Sequence, residues 1–310
     1  MTAATEPGAI WLGHLRPGTP EWDAARSGLT VTATEIAAIM GLSPWQSRFS
    51  LWHKKAGLPT PPFSPSPEME WGNRLEEPVA QKWADEHPGW WPAPAGTWQH
   101  RDRTWQRATP DRLLFTTAPD PDWDGAIDID TAPAALLEVK TSPFGDGWED
   151  GVPVHYQCQI QWQLDTLGLT VCHVALLVGG YDYREYVVEY DEADAKLMVA
   201  EAEGFLASVE AGERPPIDGS DATYQTIRRQ PEGRDNVEVE IPAALADRYE
   251  AACAAKKTAA AEHQQAAAEV LDAIGSGRWA AVGARRIAQR TVRDGRTHSL
   301  IPSKQKASTS

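Results

Sequence analysis

The chain has 310 residues, of which 42% are hydrophobic and 24% charged, a composition that suits one large globular domain or a medium one with an appendage. Its three cysteines, Cys158, Cys172 and Cys253, include no C-x-x-C pair, which excludes a disulfide framework and a cysteine-built zinc or iron–sulfur site and suits a reducing cytoplasm. No basic leader runs into an apolar stretch, and nothing approaches the roughly 18 apolar residues of a membrane span, so a soluble protein that stays where it is made is expected. The net charge of −15 argues at first against a nucleic-acid partner. Its distribution softens the argument: from Arg278 onward there are eight Lys/Arg against the single acid Asp294, leaving 21 bases against 43 acids elsewhere. A basic tail on an acidic body can follow a phosphate backbone, although it reads equally as a solvated end.

In chain order, residues 1–30 read as irregular, anchored by Trp11 and Trp22; the fourteen tryptophans point to core or interface. Thr32 and Glu35 have capping-box spacing before a short apolar run at 36–40, which Gly41 stops. A second helix is expected over 48–56, then a proline-rich, exposed connector at 59–67. Residues 68–86 repeat at helical spacing, with a kink or restart expected at Pro78. Short β-type runs follow at 104–108, 113–117 and 136–141, the last two separated by a Pro- and Asp-rich hairpin loop or insertion at 119–133. A helix over 154–167, strands over 171–178 and 183–190, and a helix from 191 to about 211 complete an α/β pattern with a mixed sheet. Pro215-Pro216 with Gly219 marks the expected boundary between a domain at 1–214 and an appendage at 215–310. The appendage reads as one long helix or a helical hairpin at 243–274, then strands turning at Gly283 and at Asp294-Gly295.

Four side chains stand out chemically: Glu76, Asp111, Glu138 and Lys140. Residues two apart in a strand share a face, so Glu138 and Lys140 project together while Val139 points away. A carboxylate and an ammonium side by side on an interior strand are costly unless they pair or bind a cation. Hard oxygen ligands with room for water suit Mg²⁺ better than Zn²⁺. Taken alone, Glu-x-Lys is a common salt bridge and Pro-Asp a common turn.

In combination, Pro110-Asp111 followed by Glu138-x-Lys140 resembles the signature of the PD-(D/E)XK nuclease superfamily. The stretches at 32–45, 71–76, 109–111, 137–144 and 153–161, in this order, resemble the YqaJ-like viral recombinases, the branch related to phage lambda exonuclease. The resemblance implies a restriction-endonuclease-like core. It makes Asp111 and Glu138 direct metal ligands, joined by the Val139 carbonyl and supported by Glu76, with Lys140 as the catalytic lysine. Gln159 matches a glutamine that helps position the reacting water or phosphate, and Arg26 with Thr34 matches a pocket for the DNA 5′-phosphate, favoured by a helix start near Thr34. His155 and His173 read as structural or surface residues, while Tyr156 and Trp162 could stack on bases or be buried.

The expected function is therefore a Mg²⁺-dependent 5′→3′ exonuclease on double-stranded DNA ends, with Mn²⁺ able to substitute, leaving 3′ single strands for phage-type recombination. A homotrimer and a partner single-strand annealing protein are implied by the resemblance alone. The competing readings are an endonuclease or nickase of the same superfamily, and a catalytically silent DNA-binding scaffold.

Overall fold

The computed structural model describes residues 9–16, 18–119, 132–230, 233 and 235–303. The loop or insertion expected at 119–133 falls almost entirely outside the described residues, as do Lys304 and Lys306 of the basic tail. The chain forms two compact units, one running to residue 233 and the other from residue 234.

The first unit begins with β1 (Ala9–Gly13), α1 (Pro20–Arg26), β2 (Val31–Thr32), α2 (Ile36–Ile39), α3 (Arg48–Lys55) and α4 (Pro67–Glu86). The region expected to be irregular thus holds a strand and a helix. Thr19 caps α1 by accepting a hydrogen bond from the Trp22 amide, and Pro20 occupies the first turn, where its missing N–H costs nothing. The capping box at 32–35 is half met: the Glu35 carboxylate accepts from the Thr32 amide at 3.1 Å, but the helix starts only at Ile36. Ser66 caps α4, and the helix continues through Pro78 without a restart. The hydrogen bond that Pro78 cannot donate is outweighed by the burial of Val79, Ala80 and Trp83 just beyond it.

Next come β3 (Trp91–Pro94), β4 (Thr97–His100), β5 (Gln106–Ala108), β6 (Arg112–Phe115) and β7 (Ala135–Ser142), followed by α5 (Val154–Leu167), β8 (Val171–Val178), β9 (Asp182–Glu189), α6 (Glu192–Glu210) and α7 (Asp221–Ile227). The strands β3-β6-β7-β8-β9 form one mixed sheet in which only β7 and β8 are parallel; β1-β4-β5-β2 form a second sheet. A Trp-Pro-Ala-Pro segment reads poorly as a strand, yet β3 is tolerated because it lies on the sheet edge.

The two helices that matter for the site cover opposite faces of β7. Leu137 and Val139 pack with Val79, Ala80 and Trp83 of α4, while Leu136 packs with Ile160 and Leu164 of α5. Trp83, Trp98 and Trp162 are fully buried, and Trp45 and Trp71 are exposed, so the tryptophans divide between core and surface. The first unit extends past the boundary expected at 215 because α7 returns to it: Thr223 Oγ1 donates to Ser47 Oγ at 2.7 Å, and Gln230 Nε2 donates to the Pro59 carbonyl.

The second unit consists of α8 (Ala243–Ile274), β10 (Trp279–Val282), β11 (Arg285–Arg293) and β12 (Arg296–Pro302). Of the two expected forms, the 32-residue segment takes the single helix. No residue of α8 is buried, so its Ala, Glu, Lys and Gln content, rather than packing, sustains it. The three strands form an antiparallel meander. Asp294 and Gly295 both have positive φ (52° and 72°), the requirement of the tight two-residue hairpin that this dipeptide signals.

Candidate active site

In the antiparallel register of β6 and β7, Arg112 lies opposite Leu137, which carries the preceding Asp111 to the backbone of β7. Asp111 Oδ2 accepts from the Val139 amide at 2.7 Å. On the face of β7 toward α5, Lys140 Nζ donates to Glu138 Oε1 at 2.6 Å. Helix α5 completes the arrangement with two glutamines one turn apart. Gln159 Nε2 donates to Glu138 Oε1 at 2.5 Å and Gln163 Nε2 to Glu138 Oε2 at 3.0 Å. Glu138 is only 1% exposed, and a lone carboxylate there would be costly; one ammonium and two amides keep it in place.

Glu76 arrives from α4, its Oε1 accepting from Arg112 Nη1 at 2.6 Å, while Arg112 Nη2 holds Glu77 at 2.7 Å. Gln163 and Arg112 were not singled out from sequence. Glutamines are common on helices, and Arg112 reads as the ordinary start of a strand. The only available signal was the four-residue spacing of Gln159 and Gln163, which places both on one helix face.

The electrostatics follow from burial and crowding. Burial, then the charge of Glu138, raises the Asp111 carboxyl to about 8; Lys140 opposes the shift and Glu76 adds to it. Burial disfavours the Lys140 ammonium, but Glu138 and Asp111 outweigh that cost and hold it above the ordinary lysine range. Lys140 also sits 5.0 Å from the centroid of the Tyr156 ring, a cation–π contact.

The Asp111 and Glu138 carboxylates are close enough for Glu138 to add to the rise that burial causes at Asp111; a divalent cation would relieve that repulsion, and the two groups are hard oxygen donors. Among the described residues no three His, Cys, Asp or Glu converge as a ready-made metal cage. The donor set therefore fits a cation whose remaining ligands are water or substrate oxygens, as Mg²⁺ prefers.

Arg26 and Thr34 also come together: Arg26 Nη2 donates to Thr34 Oγ1 at 3.1 Å and to Thr32 Oγ1 at 3.4 Å. The Arg26 guanidinium lies over the Trp22 ring. Behind it, Lys55 Nζ reaches Glu35 Oε2 at 2.9 Å and the Arg26 carbonyl at 3.3 Å. The helix start expected near Thr34 is present at Ile36, but it is a poor attractor of anions. Helix α2 has four residues and its cap is the buried acid Glu35, so positive charge here comes from side chains.

Of the two aromatic candidates, Trp162 is fully buried, its indole N–H donating to the Arg107 carbonyl at 3.1 Å, so it cannot meet a base. His155 packs against Trp45 and Tyr156, and His173 against Trp83 and Trp90.

An Asp leading into one strand, and a Glu-x-Lys on its neighbour in a mixed sheet covered by helices, are the arrangement that the resemblance to the PD-(D/E)XK nucleases leads one to expect. Residues 21–170 match a family model described as the YqaJ-like viral recombinase domain. The chain is similar to the YqaJ protein of Bacillus subtilis (strain 168), itself described as uncharacterized, with 26% identity over 227 residues, covering 71% of this chain and 66% of that one. Among solved structures it is similar to the alkaline exonuclease LHK-Exo of Laribacter hongkongensis, with 22% identity, coverage of 63% of this chain and 94% of that one, and a TM-score of 0.48. A phage related exonuclease from Haemophilus somnus 129PT aligns at 13% identity over 60% of this chain and 96% of its own, with a TM-score of 0.42. Among the described residues no helix is long and apolar enough to cross a membrane.

Proposed function

We propose that the first unit is a metal-dependent deoxyribonuclease, a 5′→3′ exonuclease on duplex ends that leaves 3′ single strands. The observation that carries this reading is the convergence of Asp111, Glu138 and Lys140 around the Val139 backbone, within a domain matched to the YqaJ-like viral recombinases. Asp111, Glu138 and the Val139 carbonyl would hold the cation, with Glu76 supporting them from α4. A bound Mg²⁺ would polarise the phosphodiester and acidify a coordinated water.

The side chains supply the rest. Lys140, held protonated by its two acidic neighbours, orients the attacking water and stabilises charge on the phosphate rather than acting as the base. Gln159 and Gln163 fix both oxygens of Glu138, so the carboxylate does not have to reorganise during the reaction. Arg26 and Thr34 receive the 5′-phosphate and set the polarity. A homo-oligomer, trimeric by family resemblance, and a single-strand annealing partner belong to the same reading.

Linear duplex labelled at either end, with a 5′-phosphate or a 5′-hydroxyl, tests it in Mg²⁺ and in EDTA. Release from the 5′ end in Mg²⁺ alone is expected, with a preference for the phosphate that Arg26→Ala removes. Nicking of closed circles as fast as digestion of ends would convert the reading to an endonuclease, and no digestion of any DNA would leave only a scaffold.

A further inference from the structure

The catalytic proposal uses nothing from the second unit, yet that unit holds the strongest concentration of unpaired positive charge in the described chain. From residue 278 to 303 there are six arginines and one acid, Asp294, in a protein whose net charge is −15. Among the described residues no ion pair reaches Arg278, Arg285, Arg286, Arg290, Arg293 or Arg296. Arg290 is used internally, donating to the Ser276 carbonyl and to Thr297 Oγ1. Arg278 and Arg286 lie over the Trp279 ring at 5.1 and 4.3 Å. Arg285, Arg293 and Arg296 are exposed, and the last two are direct cross-strand partners beside the Asp294-Gly295 turn. Like charges directly opposite across a ladder are destabilising, so the hairpin tip carries a repulsion that nothing in its fold requires.

We propose that the β10–β12 sheet of the second unit is a further nucleic-acid surface, built from residues other than those of the cleavage site, which grips the phosphate backbones of duplex DNA. The arginine type fits, because a guanidinium presents a donor fork to phosphate oxygens. The spacing fits too: Arg285 and Arg293 are eight strand residues apart, about 27 Å at about 3.4 Å per residue, and a two-stranded ribbon enters a major groove about 12 Å wide. Single-stranded binding needs a run of stacking aromatics. The only Trp, Tyr or Phe between 278 and 303 is Trp279, already covered by two guanidiniums.

The full-length protein, kept from cutting by EDTA, is titrated with a blunt duplex of about 30 base pairs across a salt series. The triple variant R285Q/R293Q/R296Q should bind about tenfold or more weakly, and its slope of log affinity against log salt should shrink by about 2–3, near 0.9 per lost phosphate contact. The corresponding triple lysine variant should keep most of the wild-type slope. R293Q/R296Q, confined to the exposed turn, guards against misfolding and should lose about two-thirds of the effect with an unchanged melting temperature. Unchanged affinity and slope would overturn the proposal. So would a loss confined to a single-stranded oligonucleotide, or to polyglutamate, the acidic-protein stand-in. Failure of the nuclease reading would look different: wild type would bind duplex through these arginines and yet cut nothing in Mg²⁺.

Discussion

The two units treat charge in opposite ways. In the first, ionised side chains are taken into the interior and surrounded by partners: Glu138 by Lys140, Gln159 and Gln163, and Glu35 by Lys55, Lys54 and the Thr32 amide. In the second, arginines stand on a small sheet with no acidic partner among the described residues, two of them facing each other at the hairpin tip. Enclosed charge has fixed geometry and strong fields, which a reaction needs, and removing one partner strands the other. Unpaired surface charge has neither property. It contributes little to the fold and remains available to a polyanion.

This contrast can be tested by removing one group at a time. The largest effect is expected at Lys140. In Lys140→Ala, Glu138 keeps its two amide donors, so the protein should fold and bind duplex DNA while its single-turnover cleavage rate falls about 10³-fold. A drop of only a few fold would remove Lys140 from the chemistry. Next comes Lys55→Met. The Lys55 side chain is 2% exposed and that of Glu35 6%, so the substitution leaves a buried carboxylate without its one buried ammonium partner, held only by the more exposed Lys54, the Thr32 amide and the field of Arg26. Breaking such a pair costs about 3 kcal/mol in urea denaturation. Stability equal to wild type would show that the first unit does not depend on its buried charge pairs.

A smaller effect is expected from Gln163→Leu, which removes the donor to Glu138 Oε2 from a fully buried position. A loss of about 1–3 kcal/mol of stability and about a tenfold slower cleavage are expected, whereas Gln159→Leu should affect the other oxygen. Smallest of all, R293Q/R296Q should change stability by less than about 0.5 kcal/mol, because these guanidiniums support no other part of the fold. A larger destabilisation would mean that the sheet uses its arginines internally.

Much of this contrast was legible in the sequence, for identifiable reasons. Helix α5 and strand β8 stand where periodicity places them, because each buries a continuous apolar set against the same core. The face shared by Glu138 and Lys140 follows from strand alternation alone. The Asp-Gly turn required positive φ at both positions and has it. Strand β3 was hidden by its two prolines, since only the sheet order reveals that it lies on an edge. Helix α7 was hidden for a related reason: seven residues after a double proline carry little pattern, and what holds them is the distant Ser47. The donors around Glu138 were only partly visible, because a glutamine shows its partner only once the helix is packed on the sheet. At 32–35 the capping-box spacing marked the short helix that follows, but not the second use of Glu35 in a buried pair with Lys55, which only the packed structure shows.

The claim at the centre is that Asp111 and Glu138 together collect a divalent cation next to Lys140. Calorimetric titration of Mn²⁺ into the wild-type protein and into Asp111→Asn, without DNA, measures this directly. Saturable binding in the wild type, weakened about tenfold or more in Asp111→Asn, is the predicted result. A wild type that takes up no Mn²⁺, or a variant that binds it equally well, would contradict it.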